Sequence, residues 1–315
     1  MKKVLCAILA MLMLLSLFGC KKAPEAEEPA QQEEAVPEET TPQAPVITWM
    51  TFPDDRVLTA KQYFVYDCEK QEFLTISGEA DEKIYPASVT KLFTAYVANQ
   101  YLRDTKKITV GDISGMVVNG SSVAEIKKGD ELTVAQLIEA MMLPSGNDAA
   151  YVLAIEAGKV LKGSKTAPAE AVKAFVAEMN NQAKILGMTG THFSNPDGIH
   201  KNDHHSTFHD LAILGMLSLN DPAVMAAAGT AKDTVSLASG EKNWKNTNEL
   251  IHPDSQYYCP HTIGLKTGQT PSAGSCLLSA FEYEGRTMII GVFGCPEEED
   301  RFADTLQLFN THIGG

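Results

Sequence analysis

A long run of helical sequence lies between two stretches of strand pattern, and this order restricts the fold more than any other feature. The stretch "KQYFVYDCEKQEFLTISG" predicts two strands around a polar turn at Cys68–Gln71. Apolar residues then recur at helical spacing in four successive segments, which read "ASVTKLFTAYVANQYL", "TVAQLIEAMML", "NDAAYVLAIEAGKVL" and "AEAVKAFVAEMNNQAKILG". A further helix through Leu217, with Ser206 or Thr207 as its cap, ends the helical block.

Strand pattern resumes after Leu219, and the chain closes on one more helix. "SCLLSAFEYEGRTMIIGVFG" predicts a hairpin that turns at Glu284-Gly285. "PEEEDRFADTLQLFNTHI" predicts a helix with acidic residues at its start, where the helix dipole favours them. Strands, a helical block, strands and a final helix together predict an α+β fold. We expect a mostly antiparallel sheet flanked by helices, with an inserted helical subdomain.

The N-terminal segment has the character of an export signal. Lys2 and Lys3 precede an apolar run that is shorter than the roughly 20 residues a transmembrane helix needs. The run ends "LFGC", which resembles the lipobox of bacterial lipoproteins, although Phe18 is bulkier than that pattern usually has. This resemblance implies cleavage before Cys20 and a lipid on its sulfur; an uncleaved anchor or plain secretion are the alternatives.

Residues 21–46 predict a disordered acidic linker. They hold seven Glu and two Lys among many Pro and Ala, without an aromatic residue, so they cannot bury enough apolar surface to fold. The sequence thus predicts a signal peptide over residues 1–20, this linker, and a folded domain over residues 47–315. The net charge of −14 and the absence of a basic stripe argue against a nucleic-acid partner.

Four cysteines follow the signal and lie in the predicted domain: Cys68, Cys259, Cys276 and Cys295. Export would permit disulfides, but buried free thiols are an equal alternative, and the sequence does not choose among the three possible pairings. None has the Cys-x-x-Cys spacing of a zinc or redox motif. We therefore expect no metal and no cofactor from this set.

Three short motifs stand in a defined order along the domain. Ser88 and Lys91 are three residues apart at the start of a predicted helix, so the amine can reach the hydroxyl. Ser145 and Asn147 follow in "LPSGNDAA", and Lys266-Thr267-Gly268 precedes the last hairpin in "TIGLKTGQT". Each motif is weak alone, since helix caps and turns use the same residues, and "SGEK" at Ser239 also matches the first.

Together and in this order the motifs resemble those of penicillin-binding proteins and serine β-lactamases. Longer blocks extend the likeness: "YPASVTKLFTAY", "GSSVAEIKKGDELTVAQLIEAMMLPSGNDAA", "LGMTGTHFSNPDGIH", "HHSTFHDLAILG" and "TIGLKTGQTPSAGSCLLSA". They resemble the serine-type D-alanyl-D-alanine carboxypeptidases, the low-molecular-mass penicillin-binding proteins. The resemblance implies a cell-wall enzyme that removes the terminal D-alanine from peptidoglycan stem pentapeptides, and β-lactams as covalent inhibitors. Its expected location is the outer face of the bacterial cytoplasmic membrane, as a lipoprotein.

The resemblance also implies catalytic roles. Ser88 would be the nucleophile and Lys91 its base, which requires the pKa of the amine to fall from about 10.4 toward 7 or 8. Burial and a second cation, Lys266, could produce that fall. Ser145 would relay the proton to the leaving D-alanine.

The remaining expected roles concern substrate binding. Asn147 would fix the substrate amide or Lys91, while Lys266 and Thr267 would hold the terminal carboxylate. Gly268 would let the substrate backbone lie close to the strand. The oxyanion donors would be the backbone N–H groups of Ser88 and Gln269, to which the helix start at Ser88 would add its dipole.

The chain departs from the family pattern at two places. Many relatives carry a small C-terminal β-rich domain, which we expect to be absent here because the sequence stops soon after the closing helix. A lipid on Cys20 would then replace a C-terminal anchor. Many relatives have His where this chain has Gln269, a change that a backbone role survives and a side-chain role does not.

Three alternatives remain at this stage. A class A β-lactamase would need a carboxylate to activate the deacylating water, and the nearest offering is Glu178 in "EMNN". A metal hydrolase would use His205 and His209, which have zinc-helix spacing but lack the accompanying glutamate. A lipoprotein with an inactive, peptidoglycan-binding site is the third alternative, against which the three intact motifs argue.

Overall fold

The two ends of the described chain combine in one antiparallel sheet. The computed structural model describes residues 57–314. Five strands lie in the order β2-β1-β9-β8-β7. Their bounds are β1 Gln62–Asp67, β2 Glu72–Ile76, β7 Thr262–Thr270, β8 Gly274–Tyr283 and β9 Arg286–Cys295. Because β1 pairs with β9, strands from the two ends of the described chain are neighbours in the sheet, and the helical block is inserted between them in sequence.

Both predicted hairpins are confirmed. The turn at Cys68–Gln71 lies between β1 and β2, and Gln71 takes a positive φ of 55°. Glu284 and Gly285 join β8 to β9 with φ of 50° and 75°. Two successive residues at positive φ are what a two-residue hairpin turn needs to match the twist of its strands.

Helices and two small hairpins occupy the middle of the chain. The helices are α1 Thr90–Tyr101, α2 Val134–Met142, α3 Asn147–Lys162, α4 Pro168–Ile185, α5 Phe208–Leu219 and α6 Pro222–Gly229, and α7 Asp300–Phe309 follows the sheet. The small hairpins pair β3 Lys107–Thr109 with β4 Glu131–Thr133, and β5 Lys232–Leu237 with β6 Gly240–Lys245. The expected inserted helical subdomain is therefore present.

Local capping explains where two of these helices begin. Thr133 and Gln136 form a reciprocal capping box at α2. Thr207 accepts from the Asp210 N–H and caps α5, as the sequence predicts. The expectation that strands follow directly after Leu219 was wrong, because Asp221 caps α6 and Pro222 sits at its first position.

The sheet is buried on both faces, against two separate hydrophobic clusters. Phe64 of β1 packs in the cluster with α1 and α5, and the adjacent Val65 packs in the cluster with α7. Leu277 and Leu278 of β8 divide in the same way, since successive strand residues point to opposite faces. The helical subdomain and α7 are thus held on opposite sides of one rigid sheet.

The fold class predicted from the sequence is confirmed, and so is the closing helix. The predicted signal peptide, linker and domain start at residue 47 lie outside the described residues. Within residues 57–314 no single helix is long and apolar enough to cross a membrane. Only α5 and α6 together, bent by 94°, reach that length and composition.

Candidate active site

Ser88 and Lys91 are in direct contact where α1 begins. Ser88 lies in a 3-10 turn, Ala87–Val89, that leads into the helix. Lys91 Nζ donates to Ser88 Oγ at 2.7 Å and to the main-chain oxygen of Asp197 at 2.8 Å. Ser88 Oγ also donates to the main-chain oxygen of Asp197, at 3.5 Å. The arrangement places the serine oxygen within reach of the amine, which can accept the hydroxyl proton once it is neutral.

Burial decides the protonation of Lys91. The side chain is fully buried, and loss of hydration lowers the pKa of its amine to about 8. The charges of Asp197 and Asp148 act in the opposite direction and keep that pKa from falling further. An amine with this pKa is partly neutral near physiological pH, as a general base must be.

Lys266, on β7, is a second buried lysine whose pKa is lowered. Burial is the main cause that lowers the Lys266 pKa well below its ordinary value, and the charges of Lys91 and Arg301 add to it. Burial is the principal cause of the lowered pKa of Lys91, and the further contribution expected from Lys266 stays a prediction. Desolvation alone accounts for most of that shift, because α1 carries Lys91 into the core.

The Ser145 to Asn147 motif forms the strained turn that opens α3. Ser145 is 6% exposed and has a φ of 62°, Gly146 is the N-cap, and Asn147 is the first helical residue. Asn147 lines a cleft of about 680 Å³ together with Ser88 and Gln269. Its Oδ1 atom is buried without a hydrogen-bond partner among residues 57–314, so the cleft contains an unused acceptor.

Lys266 and Thr267 lie on β7 and form a cluster with a residue that the sequence analysis missed. Thr247, in the segment after β6, shares a hydrogen bond of 2.5 Å between its Oγ1 and that of Thr267. Lys266 Nζ donates to both hydroxyls, at 3.4 Å to Thr247 and 3.3 Å to Thr267. "WKNTNEL" carries no signal that would have identified Thr247.

Arg301 is a second residue that sequence reasoning missed. It lies on α7, is 3% exposed, and donates from Nη2 to Glu298 at 2.6 Å and from Nη1 to the Gly268 oxygen at 3.4 Å. With Thr247 it lines a second cavity, of about 1100 Å³. A buried guanidinium behind Lys266 strengthens the positive charge at this end of the site.

Two glycines hold the nucleophile turn in place. A Cβ added to Gly268 would lie 2.9 Å from the Pro86 oxygen and 3.0 Å from the Ser88 nitrogen. One added to Gly198 would lie 2.0 Å from the Ala87 oxygen. Gly268 makes room for the turn that carries Ser88, and its expected role beside the substrate backbone stays a prediction. The close approach brings the Ser88 N–H beside the strand position before Gln269, where the expected oxyanion donors would lie.

Asp148 stabilises the segment that forms one wall of the cleft through hydrogen bonds to its main chain. This buried carboxylate accepts from the N–H groups of Ala124 at 2.8 Å and Ile126 at 3.1 Å. Trp244 Nε1 donates to the Ala124 oxygen, and the Asn147 N–H donates to the Ser122 oxygen. The segment that lines the cleft over residues 118–122 is thereby tied to the turn that carries Ser145 and Asn147.

The competing motifs lie elsewhere. Ser239 sits in the turn between β5 and β6 and bonds Asp130, as its expected turn position implies. Glu178, expected to face solvent, is half-buried on α4 and accepts from Tyr101 at 2.7 Å; it does not line the cleft. His205 precedes the Thr207 cap and His209 follows it, so the two do not share a helix.

The four cysteines of the domain are free thiols, which settles the choice that the sequence left open. Cys259, Cys276 and Cys295 are fully buried, and burial raises the pKa of Cys276 to about 11. Among the described residues no group of three or more His, Cys, Asp or Glu side chains could hold a metal ion.

The fold and the three motifs, brought together at one cleft, define the class of active-site-serine enzymes that contains penicillin-binding proteins. Residues 50–297 match the family model described as D-alanyl-D-alanine carboxypeptidase. The chain belongs to this family of serine peptidases, which confirms the family predicted from its motifs.

Individual relatives support the assignment. A D-alanyl-D-alanine carboxypeptidase of Streptomyces sp. strain K15 is 34% identical over 73% of this chain and 79% of its own length. DacF of Bacillus subtilis is 30% identical over 73% of this chain but only 56% of its own length. The crystal structure of the Streptomyces DD-transpeptidase superposes with a TM-score of 0.73 at 30% identity, over 85% of this chain and 100% of its own.

A fourth comparison is with an enzyme bound to a β-lactam. Penicillin-binding protein D2 of Listeria monocytogenes, in its cefotaxime-bound form, superposes with a TM-score of 0.65 at 30% identity. The match covers 81% of this chain and 98% of that one.

Proposed function

We propose that this protein is a penicillin-sensitive serine D-Ala-D-Ala carboxypeptidase that acts on peptidoglycan stem pentapeptides through an acyl-enzyme on Ser88. This proposal rests on the 2.7 Å contact between Lys91 Nζ and Ser88 Oγ, in which the lysine side chain is fully buried. Family membership supports the same activity.

Acylation follows from that contact. The neutral Lys91 amine takes the Ser88 proton while Oγ attacks the carbonyl of the penultimate D-alanine. The negative charge that develops on the carbonyl oxygen lies against the N–H groups of Ser88 and Gln269, which the close packing of Gly268 brings together. Asn147 supplies an acceptor for the substrate amide through its unpaired Oδ1.

A positively charged cluster, on and beside the strand that packs against the Ser88 turn, selects the substrate terminus. Lys266, Thr267 and Thr247 form a hydroxyl and ammonium cluster that suits the terminal carboxylate of the peptide. A free carboxylate at that position distinguishes a carboxypeptidase from an endopeptidase. Ser145, at the opening of α3, transfers the proton to the departing amine, after which water hydrolyses the acyl ester on Ser88.

Covalent labelling tests the nucleophile. Ser88→Ala removes the attacking oxygen, so we expect complete loss of penicillin labelling and of D-alanine release, measured by mass spectrometry of the intact protein and a D-alanine assay. Ser239→Ala removes the hydroxyl of the second Ser-x-x-Lys match, which only bonds Asp130, and should leave both signals intact. Labelling that persists in the Ser88 variant would reject the assignment.

The lifetime of the label separates this function from that of a β-lactamase. Glu178 was the candidate for the water-activating glutamate of class A enzymes. Its carboxylate accepts a hydrogen bond from Tyr101 and does not line the cleft. We expect a penicilloyl-enzyme that persists for minutes or longer beside steady release of D-alanine from a pentapeptide. Rapid penicillin turnover without D-alanine release, lost in Glu178→Gln, would make the protein a β-lactamase instead.

The proposed substrate also sets the location. Peptidoglycan stem peptides lie outside the cytoplasmic membrane, so the domain acts there. The lipobox-like sequence ending at Cys20 supports attachment to the outer face of that membrane through a lipid, with residues 21–46 as the tether.

A further inference from the structure

The direction of the proposed substrate along β7 determines where the rest of the stem peptide lies. Its terminal carboxylate is assigned to Lys266 and Thr267, and its oxyanion to the N–H of Gln269. The peptide therefore runs toward the end of β7 at Thr270. Because an extended chain advances about 3.3 Å per residue, the residues before the acylated D-alanine pass the turn between β7 and β8.

A further cavity, of about 330 Å³, lies at that turn. Ser272 and Ala273 of the turn line this cavity, while Pro271 and Gly274, on either side of them, line the catalytic cleft. The rest of its lining comes from the start of β1, from β9 and from residues 82–85. The cavity thus continues the cleft in the direction in which the substrate leaves β7.

Two lysines give this cavity its charge. Lys61 and Lys83 line it, and neither amine forms an ion pair with a residue in the range 57–314. Of the lining residues Glu82 alone is acidic, and its carboxylate lies toward Gly78, where an added Cβ would meet Oε2 at 2.9 Å. In a chain with a net charge of −14, two unpaired lysines beside the cleft create a local positive potential that favours an anion.

The position of Lys61 is fixed by its neighbours. Asp304 on α7 accepts from the N–H groups of Thr59 at 2.9 Å and Ala60 at 2.6 Å, directly before Lys61. The aliphatic part of the lysine lies across Gly294, where an added Cβ would approach the lysine Cβ to 3.0 Å. The glycine therefore leaves room for this side chain at the edge of the cavity.

The segment that carries Lys83 is also held in place and leads to an exposed aromatic ring. Ile84 exchanges two main-chain hydrogen bonds of 2.9 Å with Ser206. Tyr85 is 39% exposed, lines the cavity, and meets the His200 ring edge to face at 4.6 Å between centroids. His200 directly follows the cleft wall, so this aromatic pair connects the cleft with the cavity.

We propose that Lys61, Lys83 and Tyr85 form a subsite, the lysine subsite, that binds a free carboxylate on the stem-peptide residue two positions before the acylated D-alanine. Two extended residues span about 7 Å, which carries that residue from Gln269 past the end of β7. In peptidoglycan this residue is a glutamate linked through its side chain, so its main-chain carboxylate is either free or amidated. The inference rests on the proposed function and names the form of the substrate that the enzyme prefers.

A pair of pentapeptides tests the lysine subsite. L-Ala-γ-D-Glu-L-Lys-D-Ala-D-Ala and its D-isoglutamine counterpart differ in one carboxylate, and D-alanine release gives kcat/KM for each with the full chain. An exposed ion pair changes an equilibrium by about two- to fivefold, so two lysines should favour the free acid by about fivefold at low salt. The preference should shrink as the salt concentration rises, because salt screens exposed charges.

Substitution of the lysines assigns the preference to this cavity. Lys61→Gln combined with Lys83→Gln should bring the ratio of the two kcat/KM values close to one. Lys165→Gln, an exposed position between α3 and α4, is the matched control that should keep the ratio. The diacetylated tripeptide Lys-D-Ala-D-Ala lacks the glutamate, so its cleavage should be the same in all three proteins. Equal kcat/KM for both pentapeptides in the unsubstituted protein, or a preference that survives in the double variant, would overturn the inference.

A binding measurement tests the subsite without catalysis. Calorimetry of Ser88→Ala with each pentapeptide should show tighter binding of the free acid, and adding Lys61→Gln and Lys83→Gln should abolish the difference. Equal binding of the two peptides to Ser88→Ala would reject the lysine subsite alone. Absence of D-alanine release from either pentapeptide by the unsubstituted protein would instead reject the proposed function.

Discussion

At the scale of single residues, the site depends on close packing as much as on reactive groups. Lys91 can act as a base because burial of its whole side chain lowers the pKa of its amine. The turn that carries Ser88 packs closely against Gly198 and Gly268. Gly198 has a φ of 85°, which favours glycine, whereas Gly268 is required by contact alone. The Lys-Thr-Gly motif thus combines two roles: its lysine and threonine are proposed to hold the substrate carboxylate, and its glycine lets the strand pack against the turn that carries Ser88.

Substitution of Gly268 tests this division. In Gly268→Ala the new Cβ would meet main-chain atoms of Pro86 and Ser88, which cannot rotate away as a side chain would. We expect acylation of Ser88 by penicillin to fall at least tenfold, because a misplacement near 1 Å at the reacting atoms costs about a hundredfold. Stopped-flow acylation measures the effect, and Gly285→Ala, at a hairpin with open space, is the control that should retain normal acylation. Equal rates in both variants would contradict the packing role.

At the scale of helices and strands, local patterns predicted most of what the structure contains. The hairpins at Cys68–Gln71 and Glu284-Gly285 were predictable because their turn residues and alternating strands are local signals. Helix α6 was missed because its eight residues are nearly all apolar or small, which gives no helical periodicity to read. Sequence spacing also placed Ser88 against Lys91 correctly, since three residues make one helical turn.

The parts of the site that the sequence did not reveal depend on distant contacts. Asp197 lies 106 residues from Lys91 along the chain, and Thr247, in the segment after β6, lies 20 residues from Thr267. Arg301 reaches Gly268 from α7. None of these residues belongs to a sequence motif. They come together because the five-stranded sheet places β7, α7 and the helical subdomain next to one another.

At the scale of the whole molecule, the described domain is only the part that performs the chemistry. The proposed lipid on Cys20 and the acidic linker would hold that domain near the membrane while leaving it free to reach the wall. A flexible coil of the length of residues 21–46 spans roughly 30 Å, and its proline and charge extend it further.

Replacement of the proposed lipidation site tests this arrangement. Cys20→Ser removes the sulfur that would carry the lipid, so we expect the protein to leave the membrane fraction of fractionated cells. Mass spectrometry of the N-terminal peptide should find acyl groups on Cys20 only in the unsubstituted protein. Cys6→Ser, inside the predicted signal, is the control that should keep membrane attachment. Unmodified N-termini found wholly in the culture medium would reject the anchor.

The burial of Lys91 links folding to the release of protons. In the unfolded chain its amine titrates at its ordinary pKa of 10.5, and in the folded protein at about 8. Between these values the unfolded chain binds a proton that the folded protein does not, so the free energy of unfolding must rise with pH. Lys266, whose pKa is also lowered, acts in the same direction.

Lys91 by itself should therefore add about 3 kcal/mol to the free energy of unfolding between pH 8 and 10.5, while the buried thiols of Cys276 and Cys295, whose pKa values are raised, act in the opposite direction above pH 9. Urea unfolding across this interval measures the slope, and Lys91→Met should make it shallower. A slope unchanged by Lys91→Met would mean that the amine is not desolvated. Alkalinity that weakens many proteins would here relieve a cost that the fold bears at neutral pH, which is the cost of keeping an ammonium group away from water so that it can serve as a base.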